Sequence, residues 1–188
     1  MEEFRFTENF LCCEDVPLIT LAEKYGTPLY VYSASAIKNR ITEIQGAFAS
    51  IPHLVAFSVK SCSNIAILNL VKKSGAGADI VSGGELYRCL KAGMNPQNIV
   101  FAGVGKTADE IRYAIESRIR LFNAESMEEM RAISEVASSM GTTANVSFRI
   151  NPDIDAKTHE KTTTGKKENK FGIPFEKTID YYLEAAKL

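Results

Sequence analysis

LVAFSVKSCSNIAILNLVKKSGAGADIVSGGEL, residues 54–86, holds one complete structural unit, and its reading decides how the rest of the chain is read. It opens on the apolar run LVAFSV at 54–59, passes through a helical pattern at 64–74 and closes on the run ADIV at 78–81. These short runs lack polar alternation, as strands do when both faces of their sheet are covered. A strand, a helix and a second strand in succession make the two strands parallel, because the helix carries the chain back to the starting end. The unit recurs downstream, with NIVF at 98–101, IRLF at 119–122 and ANVSFRI at 144–150. Helical patterns lie between the runs at 84–92, 107–117 and 126–139. Gly93 and Gly141 stand where helix C-caps are expected.

A period of roughly 20 to 25 residues per strand and helix is tighter than most doubly wound sheets and fits an α/β barrel of the (β/α)8 type. Leucine-rich solenoids share the period, but their L-x-x-L-x-L pattern is absent. A barrel needs eight strands and five are legible, while the sequence reaches Leu188 inside a helical pattern (175–188) with no cap signal. The expectation is an incomplete barrel in an interrupted chain. Upstream, PLITLAEKY at 17–25 reads as a short helix ended by Gly26, and PLYVY at 28–32 reads as a strand. Ser33 or Ser35 then caps a helix to about Phe48, with Ile37, Ile41, Ile44 and Phe48 on one face. Residues 1–34 are thus a lead-in segment, and 35–188 the barrel domain. Residues 151–170, NPDIDAKTHEKTTTGKKENK, are polar and nonperiodic. Following the fifth strand, they are expected to form a mobile loop at the barrel mouth that orders over substrate or a partner subunit.

The charge balance excludes several classes of partner. With 22 basic and 23 acidic side chains mixed along the chain, there is no basic stripe for nucleic acid or an anionic membrane surface. The apolar runs are too short to span a bilayer, and MEEFRFTENF lacks the cationic-then-apolar order of a signal peptide. A cytoplasmic location is expected. Cys12, Cys13, Cys62 and Cys89 form no C-x-x-C, and His53 and His159 have no metal-site spacing. They read as reduced thiols and ordinary histidines, with no metal.

Three strand tips carry groups capable of chemistry. Lys60 ends the first run, where a barrel strand projects its last residue into the mouth. An amine partly withdrawn from water there is a competent nucleophile toward aldehydes; the alternative is a lysine reaching out to solvent. Asp79, Ser82, Gly83, Gly84 and Glu85 occupy the second tip. The glycines allow a sharp turn or a close ligand, Ser82 can cap the following helix, and Glu85 suits its first turn. Asp79 is not needed for any of that; it and Glu85 could also orient polar groups across the mouth. Arg149 stands at the fifth tip, suited to an anionic ligand or to a structural pair with Asp79 or Glu85.

Together these segments resemble the fold-type III pyridoxal-phosphate-dependent decarboxylases, with their alanine racemase-like barrel, and among them the diaminopimelate decarboxylases. YGTPLYVYS resembles the family's opening segment and FSVKSCSN its lysine motif, usually Y-A-V-K-A-N. GADIVSGGEL is similar to D-x-x-S-x-x-E-L, and the K-A-G and I-V-F-x-G-x-x-K stretches follow. FRINPDIDAKTHEKTTTGKKENKFGI, the most specific, resembles R-x-N-P…H…T-G…K-F-G. Phe57 and Ser58 depart from the usual Tyr-Ala, and Ser61 and Cys62 from Ala-Asn.

The resemblance implies pyridoxal 5'-phosphate in a Schiff base with Lys60, and Ser58, Asp79, Glu85 and Arg149 on the cofactor side of the mouth. It implies decarboxylation of the amino acid meso-2,6-diaminopimelate to L-lysine and carbon dioxide by a longer, homodimeric enzyme. The ring-stacking histidine, phosphate loop, pyridinium partner, cysteine proton donor and a β-rich domain are expected beyond position 188, so these residues alone are expected to be inactive. His159 and Cys62 are read as a loop residue and a small substitute for asparagine. The alternatives are a decarboxylase of another basic amino acid or of carboxynorspermidine, a noncatalytic cofactor carrier, and an inactive regulatory relative.

Overall fold

A computed structural model describes residues 3–7, 9–152, 154 and 172–188. The expected loop at 151–170, with His159, lies almost wholly outside the described residues. The chain opens on a small antiparallel meander of β1 (Phe4–Thr7), β2 (Phe10–Cys13) and β3 (Val16–Pro17). Helix α1 (Leu18–Tyr25) follows and ends at Gly26, whose φ of 81° suits glycine. Residues 28–32, expected as a strand, join no sheet; they run without a ladder partner. An extended preference makes a strand only where a neighbour offers its N–H and C=O groups.

Helix α2 (Ala34–Ala47) is capped by Ser33, whose hydroxyl accepts the Ala36 N–H at 3.0 Å. The repeating units then build a parallel sheet. Its strands are β4 (Ala56–Ser58), β5 (Gly77–Ile80), β6 (Ile99–Phe101), β7 (Leu121–Ala124) and β8 (Val146–Phe148). They pair in sequence order, which is the order of a barrel; a doubly wound sheet reverses direction at a switch point. The helices between them are α3 (Ile65–Lys73), α4 (Gly83–Lys91), α5 (Ala108–Glu116) and α6 (Met127–Ser139). Two residues of β9 (Ile150–Asn151) pair in parallel with β10 (Ile173–Pro174) before α7 (Thr178–Ala185). The described part is therefore a partial barrel wall.

Strand and helix residues meet in one core. Ile80, Ile99 and Phe101 are fully buried, and the Phe101 and Phe122 rings stack at 5.9 Å. Against them lie Leu86 and Cys89 of α4, Ile111 and Ala114 of α5, and Met130 and Ile133 of α6. The three-residue spacing of each pair places its members on one helix face. Gly93 and Gly141 hold φ of 75° and 64° just past α4 and α6, as their cap positions require. The register sets Ser58 beside Asp79 and Asp79 beside Val100. Side chains at the C-terminal ends of adjacent strands thus converge on one face.

Candidate active site

At those C-terminal ends lies a cavity of about 740 Å³. Lys60, Asp79 and Arg149 line it, joined by Gly103 and Val104 from the loop after β6 and by Asn123 and Glu125 from the end of β7. Lys60 sits in a single tight turn, Val59–Ser61, directly after β4. Val59 is fully buried and anchors that turn, while the Ser61 hydroxyl donates to Ser58 O at 2.7 Å. The lysine is exposed toward the mouth instead of packing into the core.

Asp79 is the central acid. Ser58 Oγ donates to its Oδ2 at 3.4 Å, whereas Oδ1 is buried with no hydrogen-bond partner among the described residues. Burial pushes this carboxyl above its ordinary range; Lys60, the Ser58 hydroxyl, Lys106 and Arg149 pull it back down. A buried acceptor without a donor is uncommon and marks a place where a ligand can complete the bonding.

Arg149 meets Glu125, which sequence reasoning did not single out. Its Nη1 lies 3.2 Å from each Glu125 carboxylate oxygen, and the acid's side chain is only 5% exposed. Glu85 is not among the cavity's lining residues. Its Oε2 accepts the Val81 N–H at 2.7 Å while its own N–H donates to Ser82 Oγ at 3.2 Å, so it closes the turn between β5 and α4. Ser58 reaches the mouth through Asp79, not by lining it.

Behind the rim runs a chain of bonds that the sequence reading missed. Helices α4, α5 and α6 each begin Ser/Thr-x-x-Glu, and in each the hydroxyl accepts the glutamate N–H. Glu110 uses one oxygen for Thr107 and gives the other to the Gly83 N–H at 2.8 Å. Glu129 binds the Glu125 N–H with one oxygen and pairs with Lys106 through the other. The Lys106 ammonium also donates to Gly103 O and Asn123 O, at 2.7 and 3.0 Å. The Ser/Thr-x-x-Glu spacing was a usable signal for the turns; the links between turns depend on which tips become neighbours. All four cysteines are free thiols, and among the described residues no cluster of His, Cys, Asp or Glu is arranged to hold a metal ion. No helix of the described residues is long and apolar enough to cross a membrane.

Comparison with known proteins shows the family to which the chain belongs. Residues 34–188 match the family model described as pyridoxal-dependent decarboxylase, pyridoxal binding domain. Diaminopimelate decarboxylases from Haemophilus influenzae and Pseudomonas aeruginosa are each 47% identical over 188 residues, all of this chain and 45% of theirs. The chain thus spans about half the length of the curated relatives it matches. Among solved structures, diaminopimelate decarboxylase from M. jannaschii superposes with a TM-score of 0.90 at 39% identity, over all of this chain and 45% of that one. The Helicobacter pylori enzyme, solved with L-lysine, gives 0.86 at 42% identity over 90% of this chain and 43% of that one.

Proposed function

This chain belongs to the pyridoxal-dependent decarboxylase family, in its pyridoxal-binding domain, and on that premise we propose that it is the cofactor-bearing part of a diaminopimelate decarboxylase. The reaction is loss of carbon dioxide from meso-2,6-diaminopimelate to give L-lysine, in a cytoplasmic homodimer. The observation that carries the reading is Lys60 at the lip of the cavity that Asp79 also lines, with the buried Asp79 Oδ1 lacking a partner among the described residues.

These residues fit pyridoxal phosphate. Bound there, it supplies an electron sink for the charge left by the departing carboxylate. Lys60 would hold its aldehyde through Nζ. Asp79, fixed at Oδ2 by Ser58, has Oδ1 left for a donor on the cofactor or on a substrate ammonium. Arg149, braced by Glu125, sets positive charge across the mouth, where a carboxylate or phosphate is favoured. Val81 and Val100, both half-buried, add apolar surface to the wall beside these polar groups. Residues 1–34 serve as lead-in and 35–188 as the cofactor domain.

The test is decarboxylation of meso-2,6-diaminopimelate by the full-length protein beside Lys60→Ala. Lysine and carbon dioxide from the first and none from the second are expected. Turnover of ornithine or arginine in preference to diaminopimelate would overturn the substrate assignment.

A further inference from the structure

We propose that Lys106 is a positioning residue of the mouth: one buried ammonium that holds the loop after β6 and the tip of β7 in place beside the Asp79 carboxylate. The proposal rests on the reading of that mouth as the cofactor site. Lys106 directly precedes Thr107, the N-cap of α5, and its side chain is 1% exposed. Its Nζ donates to Gly103 O at 2.7 Å and Asn123 O at 3.0 Å and pairs with Glu129 Oε1. Three ammonium donors meet three acceptors, and the cation also stands 5.4 Å from the centroid of the Phe101 ring.

Stability alone does not call for an ammonium here. Apolar side chains that fill the space of a buried ion pair are often neutral or stabilising. The ammonium adds two things that an apolar group lacks. It ties together Gly103 and Asn123, two walls of the cavity that come from different strand ends. It also sets a fixed positive charge near Asp79.

The charged groups that act on Asp79 come from three strand ends, Lys60 after β4, Lys106 after β6 and Arg149 after β8, with the Ser58 hydroxyl beside them and the Glu125 carboxylate after β7 on the same cavity. Lys106 in turn is faced by Glu129 of α6 and Glu110 of α5. Burial drives the Asp79 carboxyl toward its protonated form, and the three cations oppose it. Removing Lys106 weakens the opposition, so Asp79 takes up its proton at a higher pH. A neutral Asp79 no longer attracts the cationic partners it faces across the mouth.

The experiment follows the Asp79 carboxyl by NMR in the full-length, cofactor-free protein labelled with carbon-13 at aspartate carboxyls, the signal being assigned with Asp79→Asn. Lys106→Met and the milder Lys106→Gln are both expected to move the Asp79 midpoint upward. Glu129→Gln cuts a bond in the same network but leaves the ammonium charged, so it is expected to lower thermal stability while the midpoint stays or moves down. A purely structural lysine would give the thermal loss without that contrast. An unmoved midpoint in either Lys106 variant, or an equal rise in Glu129→Gln, overturns the proposal. So does failure of both Lys106 variants to fold, which would assign the residue to the fold and not to the site. The titration is done without cofactor, so it is independent of the functional reading, which fails separately if pyridoxal phosphate added to the full-length protein does not attach to Lys60.

Discussion

The Glu125–Arg149 pair is lopsided, and the lopsidedness has consequences at the level of single residues. The acid's side chain is 5% exposed and the guanidinium's 40%. Arg149→Leu leaves a buried carboxylate without this counter-charge, which is expected to cost about 3 kcal/mol in denaturant unfolding. Glu125→Gln leaves a guanidinium that still reaches water, and about 1 kcal/mol is expected. Equal losses would mean that the pair is better solvated than its burial indicates. A second residue couples the meander to the barrel. Glu14, at φ 55° between β2 and β3, accepts the Ser33 hydroxyl, the Ser35 N–H and the Ser35 hydroxyl, each at 2.8 Å. These bonds lower its carboxyl from an ordinary 4.5 to about 2. A depressed folded-state value means the contribution is complete above about pH 4.5 and is lost as pH falls toward 2. The difference in thermal midpoint between the natural protein and Glu14→Gln is therefore expected to narrow over that window. A constant difference would contradict the contribution of these bonds to Ser33 and Ser35.

At the scale of elements, the sheet tolerates no extra atoms where β5 passes the turn before β6. A Cβ at Gly77 would stand 2.0 Å from the Asn98 carbonyl oxygen, so Gly77→Ala must push two strands apart. A loss of about 2–3 kcal/mol is expected, read from the denaturant midpoint. Ser126→Ala, which removes only the α6 cap, is expected to cost about 1 kcal/mol. The strands and helices from residue 54 onward were legible because their signal is local: apolar runs of strand length separated by helical periodicity. Lys60, Asp79 and Arg149 were legible as polar residues at the ends of those runs, and the structure brings them to one cavity. The meander at residues 4–17 was not legible, since segments of only two to four residues become strands only by pairing with each other. Residues 28–32 show the converse, local strand character with no pairing partner. Glu125, Glu129 and Lys106 escaped for the same reason. Their roles come from contacts between successive tips, which sequence spacing does not encode.

At the scale of the whole molecule, β4 and β8 each pair on one side only within the five-stranded sheet. Beside β4 lies an apolar groove of about 440 Å³ walled by Ile37, Ile41 and Ile44 of α2. Parallel edges left unpaired among the described residues, beside apolar surface, favour association. A polypeptide limited to residues 1–188 is thus expected to self-associate in sedimentation and to decarboxylate diaminopimelate orders of magnitude more slowly than a full-length relative, because groups that act as a unit fail together. Lys60-dependent turnover within about tenfold of the full-length enzyme would show that the active site has been misplaced. The central claim, however, concerns one amine. Lys106 is sealed in its ion pair, Lys91 lies over the Tyr87 ring, and Lys72 lies in the last turn of α3, whereas Lys60 stands at the cavity. The most direct measurement is borohydride reduction of the full-length protein with pyridoxal phosphate, followed by peptide mapping. Cofactor fixed on Lys60, and lost in Lys60→Ala, is the expected result; label on Lys72, Lys91 or Lys106 in its place would contradict the account.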